Sequence, residues 1–276
     1  MLERSGVSAP FSYLFVPGNR PERFDKAVAS GADAIIIDLE DAVAADDKAS
    51  AREHIGAWLG PRMDSGAHVL VRINDAGTPW FDADLSFIRD NGVAGVMLPK
   101  VENATQIERV RAALASGGFI VPIIESARGV LELESIAAAP AVQRLAFGTL
   151  DYAVDLDLSG DERGLIHPAC QIAIASRAAG LLSPIAGVTT DIADEAKLLA
   201  DLAFARACGF GAKLCIHPGQ VAALHRAIAP RPEDIAWAQR VLDAASSAPG
   251  AVQVDGKMVD RPVVLKAKSI LERASR

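Results

Sequence analysis

Short apolar runs alternate along most of the chain with longer, Ala-rich amphipathic segments, the pattern of repeated βα units. The runs predict strands at Ser12–Val16, Ala34–Asp38, His68–Ile73, Gly95–Leu98, Phe119–Ile124, Arg144–Phe147, Ser183–Ala186 and Ala212–Ile216. Between and after them, 3.6-residue periodicity predicts helices at Pro21–Ser30, Asp47–Leu59, Phe81–Asp90, Ala104–Ala115, Gly129–Ala138, Leu165–Ala179, Asp194–Cys208 and Gln220–Ile228. Eight strands and eight helices in this length point to an α/β fold of the TIM (β/α)8 barrel type, with an open doubly wound sheet as the competing arrangement.

The barrel is assigned to residues 1–229, and residues 230–276 form a C-terminal helical extension. There Pro230-Arg231-Pro232-Glu233-Asp234 breaks the pattern and restarts a helix near Ile235–Ala245. The stretch Ser246-Ser247-Ala248-Pro249-Gly250 then leads to a short Val252–Val254 run, a turn at Asp255-Gly256 and a last helix from about Pro262. A tail with this much structure is expected to pack on a neighbouring subunit, making the protein a homo-oligomer, a trimer or hexamer.

Composition narrows the picture. Half of the 276 residues are hydrophobic but only 5% aromatic, so the core must be built from Ala, Val, Ile and Leu, as in buried parallel strands backed by helices. A net charge of −7 gives no footprint for nucleic acid or an anionic membrane. No apolar run approaches the length of a membrane span. Cys170, Cys208 and Cys215 suggest neither a disulfide framework nor a zinc site, which fits a reducing cytoplasm. Glycine-rich nucleotide signatures are absent.

In a barrel the chemistry lies at the C-terminal ends of the strands. Ala34-Ile35-Ile36-Ile37-Asp38-Leu39-Glu40-Asp41 delivers three carboxylates from one apolar run, which is costly unless they are paired or bind a cation. Glu125 follows Val121-Pro122-Ile123-Ile124, and Asp151 follows Phe147-Gly148-Thr149-Leu150 one strand over. Strands about 5 Å apart let these two share one ion, and two carboxylates plus waters is the usual way to hold Mg2+. Arg72 ends an otherwise apolar strand, where its planar fork suits either a substrate carboxylate, bidentately, or the structural partners Asp38 and Glu40. Lys100 admits a Schiff-base role that the metal site makes secondary, and His217 reads as a rim residue. Arg20, Arg23 and Lys26 make a basic cluster at a helix start, where phosphate is favoured.

The segments Ser12–Arg23, Asp38–Val43, Val71–Asn74, Leu98–Lys100, Ile124–Gly129 and Phe147–Asp151 together resemble the citrate lyase β-subunit-like proteins of the HpcH/HpaI aldolase superfamily, related to malyl-CoA and citramalyl-CoA lyases. The resemblance implies a Mg2+-dependent TIM barrel that cleaves or forms a C–C bond between an acyl-CoA and a 2-oxo acid. It implies Glu125 and Asp151 as metal ligands, Arg72 as the carboxylate clamp, Glu40 and Asp41 as groups around metal-bound water, and Arg20, Arg23 and Lys26 near the CoA phosphates. Gly256–Pro262 resembles a C-terminal segment whose Asp enters a neighbour's site, which makes Asp260 the acid/base. Two departures stand out: Gly148-Thr149-Leu150-Asp151 lacks the acidic residue that often precedes the metal aspartate, and Glu40 is followed by Asp41 rather than by the histidine of the pyruvate aldolases. A malyl-CoA-type thioesterase and a non-catalytic citrate lyase-like subunit are the alternative functions.

Overall fold

The computed structural model describes residues 9–60, 68–247 and 252–274. The N-terminal residues before Ala9, and part of the turn expected at Ser246–Gly250, lie outside them. Eight parallel strands close into a barrel in sequence order: β1 (Ser12–Pro17), β2 (Ala34–Asp38), β3 (His68–Arg72), β4 (Gly95–Leu98), β5 (Phe119–Ile124), β6 (Ala146–Phe147), β7 (Ile185–Ala186) and β8 (Ala212–Cys215). Closure is made by β8 pairing with β1, Tyr13 opposite Leu214. The open sheet is excluded.

The helices are α1 (Phe24–Val28), α2 (Lys48–Leu59), α3 (Phe81–Asp90), α4 (Ala104–Arg111), α5 (Ala127–Leu131), α6 (Leu133–Ala137), α7 (Thr149–Asp155), α8 (Arg163–Ala178), α9 (Glu195–Ala207) and α10 (Pro218–Ile228), then α11 (Pro232–Ser247) and α12 (Arg261–Ala274). Several expectations change: the strands predicted at Arg144–Phe147 and Ser183–Ala186 shorten to two residues each, and the helix predicted over Ala104–Ala115 ends at Arg111. The helix predicted over Pro21–Ser30 is a 3-10 turn, Pro21–Arg23, followed by the five-residue α1. The helix predicted over Gly129–Ala138 breaks at Glu132 into α5 and α6. An unpredicted helix, α7, follows β6; Leu150 and Val154 are exposed and only Tyr152 is buried, so it carries no apolar stripe for periodicity to reveal.

Two compact units divide the chain, Ala9–Ala223 and the part from Leu224 onward, with the boundary inside α10. In the first, alternation sends Tyr13, Ala34, Ile36, Leu70, Met97, Val121, Ile123, Ala146, Ile185, Ala212 and Leu214 into the barrel. In the second, α11 and α12 close on an antiparallel hairpin of β9 (Val252–Val254) and β10 (Lys257–Val259), with Ala238, Val241, Val259, Ala267 and Ile270 as the core. Among the described residues no helix is long and apolar enough to cross a membrane.

Candidate active site

Continuing the inward alternation by two residues places the next barrel layer. Ile36 leads to Asp38, Leu70 to Arg72 and Ile123 to Glu125, while Ala146 leads to Gly148 and Ile185 to Gly187. Three strands thus project charge into the mouth and two project nothing. The space left is a cavity of about 390 Å³, lined by Phe15, Asp38, Arg72, Glu125, Gly148 and Gly187 among others.

Asp38 and Arg72 are register partners across β2 and β3, so their side chains emerge at one level. Arg72 gives Nε to Asp38 Oδ1 at 2.7 Å and Nη2 to Asp38 Oδ2 at 2.6 Å, a two-pronged pair. Its Nη1 lies 2.9 Å from Glu40 Oε2 and only 3.5 Å from Asp41 Oδ2. The Phe15 ring supports the guanidinium at 4.8 Å. Burial opposes the charge on Arg72, but Asp38 and then Glu40 outweigh it, so its pKa is raised. Of the two readings of Arg72, the partner role is present in the structure: the Nε/Nη2 fork belongs to Asp38, and Nη1 is shared by Glu40 and Asp41.

Glu40 is buried, and burial raises its pKa despite Arg72 and Lys100. Its second oxygen accepts from Lys100 Nζ at 2.8 Å. Lys100 has φ 49°, and this turn also aims its backbone N–H at Glu125 Oε1, 2.6 Å away. Burial works against the Lys100 ammonium, yet the hydrogen bond and charge of Glu40 reverse this and raise its pKa. A lysine held in its charged form is a poor Schiff-base nucleophile.

Glu125 is buried, and burial first, then Glu40 and Asp151, push its carboxyl up to about 8 in spite of the Lys100 N–H. Asp151 does not emerge straight from a strand as expected; it sits in the first turn of α7, its side chain half exposed, with Oδ2 3.7 Å from Lys100 Nζ. Glu125 and Asp151 line the same cavity. Among the described residues no group of three or more His, Cys, Asp or Glu side chains is placed to hold a metal ion. Two oxygen donors beside open space nevertheless fit a hard cation that keeps waters or takes substrate oxygens, and a cation would relieve the proton affinity of Glu125.

Among the described residues the remaining candidates share none of these contacts. Arg20, Arg23 and Lys26 are exposed around the turn after β1, with Arg23 Nε 3.9 Å from Glu22. Asp260 belongs to the second unit, where its Oδ1 accepts the Val263 N–H at 3.1 Å and caps α12. His217 is exposed and takes the Gly219 N–H on Nδ1.

Sequence reasoning passed over two supports. Buried Lys48 donates to Leu39 O at 2.8 Å and Glu40 O at 3.0 Å, fastening the acidic loop, with its Nζ 4.8 Å from the centre of the Trp80 ring. Asp84 accepts from the N and Nδ2 of Asn74 and from Arg52, holding the end of β3. Neither leaves a local signal, because partners many residues apart meet only in the fold; Phe15, by contrast, follows from alternation after Tyr13.

A closed parallel barrel with a carboxylate and cation cluster at its C-terminal mouth is the architecture of a TIM-barrel enzyme. Within that class, the chain belongs to the HpcH/HpaI aldolase/citrate lyase family, whose model matches residues 12–218. It is 36% identical to a citrate lyase subunit beta-like protein of Deinococcus radiodurans over 94% of this chain and 95% of the relative. It is 34% identical to a (3S)-malyl-CoA thioesterase of Cereibacter sphaeroides, over 96% and 95% of the two chains. A solved structure of CitE from Mycobacterium tuberculosis, in complex with magnesium, acetoacetate and coenzyme A, superposes with a TM-score of 0.84 at 35% identity, covering 98% of this chain and 99% of the other.

Proposed function

We propose that this protein is a Mg2+-dependent carbon–carbon lyase that cleaves, or in reverse forms, a 3-hydroxyacyl-CoA of the malyl-CoA, citramalyl-CoA or citryl-CoA type, with an acyl-CoA and a 2-oxo acid as the other partners. The observation that carries this is Glu125, a buried carboxylate with its pKa pushed up to about 8, beside Asp151 in a cavity faced by Arg72. The CitE structure with magnesium, acetoacetate and coenzyme A supports the same ligand classes.

Glu125 and Asp151 would hold Mg2+. When bound, the ion supplies a Lewis acid for the oxo-acid carbonyl. Arg72, stiffened by Asp38 and Phe15, turns its Nη1 edge to the oxo-acid carboxylate, which takes the position that Glu40 holds on that nitrogen. Glu40 and Asp41 set the charge and water structure of the mouth. Arg20, Arg23 and Lys26 lie where CoA phosphates are met, and Asp260, supplied by a neighbouring subunit, moves the proton at the acyl α-carbon.

A second reading, hydrolysis of the malyl-CoA thioester, is favoured by the thioesterase relative. Incubation with Mg2+ of acyl-CoA and 2-oxo acid pairs, and separately of the 3-hydroxyacyl-CoAs, separates the two: new thioester from the pairs or oxo acid released from the 3-hydroxyacyl-CoA marks the lyase, and free thiol from the 3-hydroxyacyl-CoA without oxo acid marks the thioesterase. Turnover of neither kind despite Mg2+ and oxo-acid binding would leave a non-catalytic subunit. Glu125→Ala and Asp151→Ala are each expected to lower Mg2+-dependent turnover by about 100-fold or more. Retained activity in both would sink the site assignment.

A further inference from the structure

A second cavity, of about 350 Å³, lies behind the ends of β6 and β7, between the outer face of the barrel and helices α8 and α9. That is within the range of small-ligand sites, roughly 300–1,000 Å³. Thr149, Leu150, Gly187 and Val188 line both this cavity and the reaction cavity, so they form the partition. The partition is tight: a Cβ on Gly187 would come within 2.6 Å of Thr149 Oγ1 and 2.8 Å of Phe147 O.

The cavity has an apolar body and one buried cation. Phe147, Leu165, Phe204 and Phe210 are among its walls. Lys213 lies between the inward residues Ala212 and Leu214, so it points outward from the barrel into this layer, and it is only 1% exposed. Among the described residues its ammonium has one hydrogen-bond acceptor, Gly187 O, for three donors. The nearby carboxylate of Asp201 is already engaged, by Thr189 Oγ1 at 2.6 Å and Lys197 Nζ at 2.8 Å. Burial drives the pKa of Lys213 down to about 8, which Asp201 only partly offsets. A buried ammonium with unfilled donors costs stability unless an acceptor joins it.

We propose that this cavity is a binding site for a small monocarboxylate with an apolar body, its carboxylate on Lys213 Nζ. The rim decides the charge of the ligand. Lys197 is paired with Glu162 and Asp201, and Asp191 and Asp194 add further negative charge while accepting backbone N–H bonds. Phosphates and diacids are therefore repelled, and one negative charge is what Lys213 neutralises. No residue of the reaction cluster takes part.

The test uses octanoate as probe on the full chain, by titration calorimetry and thermal shift. Saturable one-site binding is expected, with octanamide at least 10-fold weaker and Mg2+ plus pyruvate leaving octanoate affinity unchanged. Lys213→Met should weaken octanoate at least 10-fold. Ala205→Leu, which adds bulk to the cavity wall on α9 and leaves the lysine in the sequence, should do the same, so the proposal stays testable if either variant folds poorly. Failure of octanoate to bind, equal binding of octanamide, wild-type affinity in both variants, or competition by Mg2+ plus pyruvate would each overturn it.

Discussion

At the residue scale the mouth is a chain of shared charges in which each group serves two partners. Arg72 joins Asp38 to Glu40, Glu40 joins Arg72 to Lys100, and Lys100 joins Glu40 to Glu125 through its own N–H. Among the described residues Glu125 has no ion pair on its side chain, and burial dominates it. Its folded pKa of about 8 exceeds the ordinary 4.5, so between those values the folded protein holds a proton that the unfolded chain has lost. Stability drawn from the neutral acid is thus full below about pH 4.5 and lost as pH rises to about 8. Without metal, Glu125→Gln is expected to be more stable than the wild type at pH 8, by an amount on the order of 1 kcal/mol or more, and no more stable at pH 4.5. Urea unfolding in EDTA at the two pH values measures this. An advantage that does not shrink at low pH would remove Glu125 as the titrating group.

The placement of Asp38, Arg72 and Glu125 was legible in the sequence because a charge ending an apolar strand has one physical reading in a barrel, and the two-residue period says which face it shares. What was not legible was how the charges pair. From its sequence position Arg72 suits a clamp for substrate and a partner for Asp38 alike, and only the β2–β3 register gives the fork to Asp38. The role of Lys100 depends on a positive φ that no residue type announces there.

At the scale of elements, strands were read more surely than helices because a buried parallel strand is apolar on both faces. The differences fall where an element is short or exposed: the 3-10 turn before α1, the break at Glu132, the whole of α7, and the two-residue β6 and β7, each half its expected length. Of these α7 matters most, since it turns Asp151 from a strand-end residue into a helical one that lines the cavity with Glu125. Gly148 is the inward position of β6 extended by one step, and a Cβ there would overlap Glu125 Oε2 and lie 2.7 Å from Glu125 Cβ. Gly148→Ala should displace the Glu125 carboxylate and weaken Mg2+ binding at least 10-fold in calorimetric titration, with the circular dichroism spectrum intact. Gly60→Ala is the control: nothing lies within 4 Å of its Cβ position, so Mg2+ affinity should not change. Equal affinities in the two variants would mean that Gly148 does not keep the site open.

At the scale of the whole molecule, the proposed reaction needs a proton donor and acceptor, and the buried carboxylates of the barrel mouth are committed to other partners. Asp38, Glu40 and Glu125 are each bonded to a cation or a backbone N–H. The C-terminal unit carries the residue assigned to that task, Asp260, exposed at the start of α12 with Oδ1 on the Val263 N–H. Asparagine caps a helix about as well as aspartate, so Asp260→Asn removes the proton-transfer group while keeping α12 in place. If Asp260 serves a neighbour's barrel, Asp260→Asn and Glu125→Gln subunits are each inactive alone but complement when mixed. A site is then complete when an Asp260→Asn barrel meets a Glu125→Gln tail. Random co-assembly at equal amounts completes roughly a quarter of the sites, so turnover should recover towards that fraction of the wild-type rate. Recovery measured after co-expression, with the mixed assembly verified by differential tags, supports the exchange of tails. Mixed assemblies that stay inactive would place Asp260 outside the neighbour's reaction.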